Sequence, residues 1–192
     1  MRSVMDGHRG TEAGTTLVEV MVAALIMLTG VLAMAQLISL SMAHNLLARN
    51  TTVAMVLAEQ KLEQLRALAW GFDASGLPVS DLATDTTTVP ESPNGGTGLR
   101  PSPATALQTN TPGYIDHVSA GGWIVGRGAQ APSTAVYTRR WSIEPVVTSP
   151  EGALVIQVLV SPIRDRGAAD HGNVGRLPGE ARVATVKVRK PR

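Results

Sequence analysis

The feature that most constrains this chain is a run of 21 residues, 20–40, in which no side chain carries a charge. Ten of these residues are Val, Ile or Leu. At about 1.5 Å per residue the run forms a helix of roughly 32 Å, which matches the hydrocarbon thickness of a bilayer. A core helix usually carries a shorter apolar run, and Gln36 and Ser39 define no consistent polar face. We therefore expect a membrane-spanning helix.

A cleaved secretory signal is an alternative interpretation of the same segment. Ser41 and Ala43 form a small-x-small pattern directly before His44, where a signal peptidase would create a new N-terminus. The apolar region of such signals usually holds only ~7–15 residues, which favours the membrane span.

A lone carboxylate, Glu19, directly precedes the uncharged run. At that depth it can lie in interfacial water, complement the positive end of its own helix dipole, or pair with a cation on another chain. The third possibility requires a positive charge at matching depth. A newly cleaved amino terminus would supply one.

The segment EAG-TTLVEVMVAALIMLTGVLAMAQ, residues 12–36, resembles the N-terminal processing segment of type IV pilins and of type II secretion pseudopilins. In that family a short leader ends in Gly, a prepilin peptidase cuts after it, and an acidic residue is fifth in the mature chain. The resemblance implies that Gly14 ends the leader and that Thr15, where the family most often has Phe, becomes an N-methylated terminus. It also implies that Glu19 meets a neighbouring subunit's amino terminus during assembly.

The resemblance implies a minor pilin or pseudopilin, built through its N-terminal helix into a type IV pilus or a type II secretion pseudopilus. Its partners would be prepilin peptidase, other pilins or pseudopilins, and lipid of the bacterial inner membrane. The N-terminus would be cytoplasmic and the C-terminal domain periplasmic before filament entry, and Arg2 and Arg9 ahead of the run weakly favour this orientation. The alternative is an uncleaved single-pass membrane protein with a periplasmic protein-binding domain.

Beyond the apolar run, the sequence predicts that the helix continues with an amphipathic face and ends at Trp70, with Gly71 as a left-handed cap. A short coiled-coil seam for a separate partner is the alternative use of this segment. The predicted buried stripe is Leu47, Met55, Ala58, Leu62, Leu65 and Ala69, with Gln60, Glu63, Gln64 and Arg66 largely off it.

The remaining chain divides into a loop-like part and a strand-like part. Residues 72–120 are rich in Ser, Thr, Pro and Gly and predict loops. Period-two alternation predicts strands at 122–127, 135–144, 154–161 and 182–189, the last with Ala184, Val186 and Val188 on its apolar side. One buried face is typical of an antiparallel sheet, which the helix stripe would cover.

We therefore expect an α+β fold: a long N-terminal helix, transmembrane in its first half and amphipathic in its second, packed on three or four antiparallel strands. The resemblance implies that this arrangement is pilin-like. The expected organisation is a leader (1–14), a transmembrane segment (15–42), its amphipathic continuation (43–71), a loop region (72–120) and a sheet domain (121–192).

No motif in the sequence indicates catalysis, a cofactor or a small-molecule substrate. The chain has no cysteine, its four histidines are far apart, and its basic residues are scattered, so neither an enzyme nor a nucleic-acid-binding protein is expected. An oxygen-rich loop between the last two strands can bind calcium or be a solvated hairpin loop, and we favour the second and expect no metal. Its polar residues are Asp165, Asp170, His171 and Asn173. Trp123 and Trp141 are expected to pack in the core or at a sheet edge.

Overall fold

The structure is a computed structural model that describes residues 16–163 and 178–189. These residues contain one helix and seven strands. The elements are α1 (Leu17–Ala67), β1 (Trp70–Phe72), β2 (Pro78–Ser80), β3 (Ile115–Val118), β4 (Ile124–Gly126), β5 (Tyr137–Val146), β6 (Ser149–Pro162) and β7 (Ala181–Val188).

The helix α1 is continuous over 51 residues, as the predicted transmembrane and amphipathic segments require. It ends three residues earlier than expected, at Ala67. Trp70 and Gly71 instead pair with β2 in a two-stranded hairpin, and Gly71 has no left-handed φ. The prediction of a Gly71 cap was therefore wrong, because the strand pairing of β1 fixes these residues in an extended conformation.

The chain forms two compact units, which divide between Asn45 and Leu46. In the first unit every described residue, from 16 to 45, is exposed. Its most apolar stretch has a mean hydropathy of 2.4, and the helix is long and apolar enough to cross a membrane. The exposed large side chains are Leu17, Val18, Val20, Met21, Val22, Leu25, Ile26, Met27, Leu28, Val31, Leu32, Met34, Leu37, Ile38, Leu40 and Met42.

The second unit contains a core between the last turns of α1 and a sheet. The amphipathic stripe is confirmed for Ala58, Leu62 and Leu65, whereas Leu47 and Ala69 are exposed. The helical residues of the core are Ala54, Leu57, Ala58, Leu62 and Leu65; its strand residues are Val118, Tyr137, Trp141, Ile143, Leu154, Ile156, Val158, Val160 and Ala181. Packing of the helix on the chain's own sheet is the arrangement we favoured over a coiled-coil seam.

The main sheet has five strands in the order β4-β3-β5-β6-β7, and all neighbouring pairs are antiparallel. We expected three or four strands, and the additional strand is β3, which lies inside the region predicted as loop. All four residues of β3 are buried although Asp116 and His117 are polar. Because these two residues are polar, the segment lacks the alternation of apolar residues from which we predicted strands.

The last strand, β7, alternates as expected, but the side that we predicted to be buried is the exposed one. Val186 and Val188 are 57% and 64% exposed, whereas Ala181 is buried and Val183 packs against the core. Val183 lies opposite Val158 of β6, and this register turns Thr185 and Lys187 to the same side. The Lys187 ammonium donates a hydrogen bond to the Arg66 carbonyl at the end of α1. The inward side therefore tolerates a lysine, because its charged end reaches a carbonyl beyond the apolar core.

Residues 81–114 have no regular strand or helix, as predicted, but part of this segment is packed. Leu99, Ala106 and Tyr114 belong to the core. The Ser102 amide donates to the Ile143 carbonyl at 2.9 Å, and the Ile143 amide donates to Ser102 Oγ at 3.0 Å. This segment therefore contacts β5 directly.

Candidate functional site

The predicted cleavage and methylation residues, Gly14 and Thr15, lie outside the described residues. Glu19, the predicted assembly residue, is in the first turn of α1. Its backbone N–H donates to Thr16 Oγ1 at 3.3 Å and to the Thr16 carbonyl at 3.0 Å. Thr16 thus caps the helix, and the Thr-x-x-Glu spacing is that of a capping box. The helix begins directly after the residues that the resemblance assigns to processing.

The first part of α1 combines exposed apolar residues with a single acidic or basic side chain. Glu19 is the one Asp, Glu, Lys or Arg residue between positions 16 and 48. The Thr29 hydroxyl is bonded within the helix, at 2.8 Å to the Ile26 carbonyl and 3.1 Å to the Leu25 carbonyl. Internal bonding of this kind removes the need for water around Thr29. Glu19 is therefore the side chain of this segment that most needs a polar or charged partner in lipid.

A buried ionic cluster in the second unit was not predicted from the sequence. The Lys61 ammonium of α1 lies 3.0 Å from Asp116 Oδ2 of β3, and both side chains are fully buried. Arg139 of β5 forms a bidentate pair with Asp116, with Nε at 2.8 Å from Oδ1 and Nη2 at 2.9 Å from Oδ2. Arg139 Nη1 also donates to the Leu57 carbonyl at 3.1 Å. The Lys61–Asp116–Arg139 cluster thereby connects α1, β3 and β5.

Further contacts of the cluster fix the Lys61 ammonium. It donates to the Thr86 carbonyl at 2.5 Å and to Thr86 Oγ1 at 3.2 Å, and it lies 4.2 Å from the centroid of the Trp141 ring. These contacts join residue 86 of the irregular segment to the helix. Burial of all three charged side chains, each held by hydrogen bonds, indicates a structural cluster.

The protonation of this cluster follows from burial and from its unequal charges. Lys61 lies in the second unit, beyond the apolar run, and desolvation lowers its pKa to about 8. Asp116 raises the pKa of Lys61, and the like charge of Arg139 lowers it. Burial alone would raise the pKa of Asp116, but Lys61 and Arg139 hold it below its usual value. The carboxylate therefore stays ionised between two cations.

His117 of β3 also has a structural role. Its Nε2 is 3.0 Å from the Gly128 carbonyl and its Nδ1 is 3.2 Å from Thr138 Oγ1. A carbonyl oxygen only accepts, so Nε2 carries the proton, and in the neutral ring Nδ1 accepts from the hydroxyl. The described residues contain no group of three or more His, Cys, Asp and Glu residues that could hold a metal. The predicted polar loop at 165–173 lies outside the described residues.

The two tryptophans singled out in the sequence have opposite environments. Trp141 is 1% exposed in the core, as expected. Trp123 is 70% exposed, at the residue before the edge strand β4, and lines a cavity with Arg127. The composition of the loop region gave no indication of this cavity.

No family model, curated protein or solved structure matches the chain.

Proposed function

We propose that this protein is a minor pilin or pseudopilin, processed by prepilin peptidase and assembled through its N-terminal helix into a type IV pilus or a type II secretion pseudopilus. One observation carries the proposal. Glu19, at the start of the exposed apolar part of α1, stands five positions after Gly14, which is the spacing of the prepilin segment.

The exposed first part of α1 supports assembly through this helix. The buried core residues of the second unit, among the residues that the structure describes, lie within 54–181. The apolar residues before Asn45 are therefore not needed for folding of the second unit, and they are free for contact with lipid or with the same helix of other subunits. The inner membrane holds the subunit before assembly in this proposal.

The role assigned to Glu19 is electrostatic. A carboxylate in an apolar environment is costly when alone and is stabilised by an ammonium at the same depth. Cleavage after Gly14 creates such an ammonium at Thr15 in every subunit. Pairing of Glu19 of one subunit with the Thr15 terminus of the next favours one axial register, because any other register leaves both charges unpaired in an apolar bundle.

The decisive experiment is leader processing. Co-expression with a prepilin peptidase should remove residues 1–14 and leave Thr15 as an N-methylated terminus, as read by N-terminal sequencing and intact mass. Gly14→Val should block the cleavage, and Gly10→Val, a matched change within the leader, should leave it intact. A full-length product in the presence of active peptidase would refute the proposal.

The capping box favours a second candidate, an uncleaved single-pass membrane protein with a periplasmic protein-binding domain. Glu19 at the third helical position complements the helix dipole without any partner chain. In this case the protein keeps residues 1–14 and remains monomeric in the membrane. A mature chain that starts at His44 would instead reveal a secreted domain.

A further inference from the structure

Two neighbouring cavities of the second unit are both lined by Thr87 and Arg127, and we call them together the Trp123 groove. The larger cavity, about 580 Å³, is bordered by Trp123 and β4 on one side and by residues 87–89 on the other. The smaller, about 370 Å³, extends past Asp85 to Gly96 and Gly113. All three residues of the edge strand β4 line the larger cavity.

The backbone around Trp123 is held in place although the ring is uncovered. The Ser119 amide donates to the Trp123 carbonyl at 2.9 Å, and the Trp123 amide is 3.3 Å from Ser119 Oγ. Gly122 has a φ of +83°, which allows this tight turn. A Cβ on Gly121 would lie 3.2 Å from Cδ1 of the indole, so the ring packs closely against that glycine. A large aromatic side chain is thus presented with limited freedom.

Polar groups at the middle of the groove are also held in position. Arg127 Nη1 lies 2.9 Å from Asp85 Oδ2, and Asp85 Oδ1 accepts from the amide and hydroxyl of Thr87 at 2.8 and 2.5 Å. The Asp85 side chain is only 13% exposed, whereas that of Arg127 is 55% exposed. The Arg127 side chain is therefore accessible to a ligand, and Thr88 lines the same cavity, whereas the buried Thr87 hydroxyl is bonded to Asp85.

The combination of these groups selects a ligand class. An exposed indole offers an electron-rich face to the C–H groups of an apolar ring face. The guanidinium of Arg127 offers donors and the hydroxyl oxygen of Thr88 offers an acceptor, and a polyhydroxylated molecule requires both. The carboxylate of Asp85 neutralises Arg127, which disfavours an anionic ligand, and the open, partly polar lining disfavours a wholly apolar one. A three-residue edge strand offers little backbone for an extended peptide.

We propose that the Trp123 groove binds a neutral oligosaccharide, with one sugar ring stacked on Trp123 and its hydroxyls hydrogen-bonded to Arg127 and Thr88. This proposal does not depend on filament assembly. Its test uses the detergent-solubilised full-length chain and does not involve leader cleavage, so the two proposals fail separately.

The experiment is a titration of the full-length protein in a zwitterionic detergent that has no sugar headgroup. The probes are tetrasaccharides of β-1,4-glucose, α-1,4-glucose and β-1,4-N-acetylglucosamine. Binding is measured by saturation-transfer NMR and calorimetry, and protection of Trp123 is measured by acrylamide quenching of tryptophan fluorescence. We expect at least one tetrasaccharide to bind with Kd on the order of 1 mM or tighter.

Variants separate stacking from general surface effects. Trp123→Ala should weaken binding by about tenfold or more, and Trp123→Phe by less, because a smaller aromatic face remains. The control is Val147→Ala, which changes an apolar side chain that is 94% exposed at the turn between β5 and β6. Equal affinities for Trp123→Ala and Val147→Ala would overturn the proposal. So would no saturable binding up to about 10 mM sugar, or binding of an unstructured decapeptide pool that no tetrasaccharide displaces.

Discussion

Asp116 Oδ2 lies 3.0 Å from Lys61 Nζ inside the second unit, and neither side chain reaches solvent. With Arg139 the cluster holds two cations and one anion, so it carries a net positive charge in a low-dielectric environment. Removal of one of these ions lowers the free energy of unfolding strongly if it leaves a remaining charge without a partner of opposite sign. The three residues therefore contribute unequally to stability, and substitutions can distinguish them.

We predict that Asp116→Asn is the most damaging single change in this cluster. It leaves Lys61 and Arg139 as two buried cations without an anion, and the free energy of unfolding should fall by about 3–5 kcal/mol. Lys61→Met should cost much less, because the bidentate pair of Asp116 and Arg139 remains neutral and complete. Urea unfolding followed by near-UV circular dichroism, which reports the packing of Trp141, measures both. Equal losses would show that the cluster's net charge does not govern its energetics.

The lowered pKa of Lys61 predicts a pH dependence with a definite sign. Its pKa is about 8 in the folded protein and 10.5 when unperturbed. Between these values the unfolded chain binds more protons, so the free energy of unfolding should rise as the pH increases from 8 to 10.5. The facing charged groups are Asp116, Arg139 and Glu91. The measurement is the free energy of unfolding of the wild-type protein minus that of Lys61→Met, taken at several pH values between those two pKa values. A difference that falls with pH would contradict the prediction.

The sequence predicted the strands in which apolar residues recur and missed β3, whose buried residues include Asp116 and His117, together with the short strands β1 and β2. In β6 the alternating residues Leu154, Ile156, Val158 and Val160 are buried, whereas in β5 every residue from 137 to 143 is buried, Arg139 included. β3 holds Asp116 and His117, whose burial depends on Arg139, Lys61 and Thr138 from other elements. Arg139 is 23 residues from Asp116, and a pattern read within one segment does not contain such a pairing.

For β7 the pattern was present, but the inward face was assigned incorrectly. Alternation defines two faces, and it assigns the apolar one to the core unless register dictates otherwise. Here the pairing of Val183 with Val158 places Val186 outward. β7 is an edge strand with β6 as its one neighbour in the sheet. Its orientation therefore depends on the register of this single pairing, which the residues of β7 alone do not define.

The two faces of the sheet can be compared with one type of substitution. Val158→Thr places a hydroxyl at a site that is 0% exposed, and we expect a loss of about 1–3 kcal/mol in the free energy of unfolding. Val186→Thr places it at a site that is 57% exposed, where the change should stay within about 0.5 kcal/mol. Thermal or urea unfolding of both variants tests this. A large loss for Val186→Thr would mean that this face is covered in the native protein.

The candidate sites differ in how much of each the sequence reveals. Glu19 was predicted because a charge beside an uncharged run is a local signal. The Trp123 groove was not, because Arg127 and its partner Asp85 are 42 residues apart and meet only after the sheet and the irregular segment pack. Local sequence patterns therefore identify the helix and its charge, whereas the buried cluster and the groove require the tertiary structure.

A substitution at Glu19 separates its two possible roles, because glutamine also completes a capping box. Glu19→Gln keeps the bond from the residue-19 amide to Thr16 Oγ1 and removes the negative charge. If the carboxylate pairs with a neighbouring amino terminus, membrane insertion and leader cleavage should be unchanged, while incorporation into filaments should fall by at least about tenfold. Thr16→Ala is the matched control, since it weakens the helix start by about 1 kcal/mol and leaves the charge in place. Quantitative immunoblots of sheared filaments and of the membrane fraction measure incorporation and insertion for each variant. Normal incorporation of Glu19→Gln, with a defect only in Thr16→Ala, would restrict Glu19 to capping its own helix.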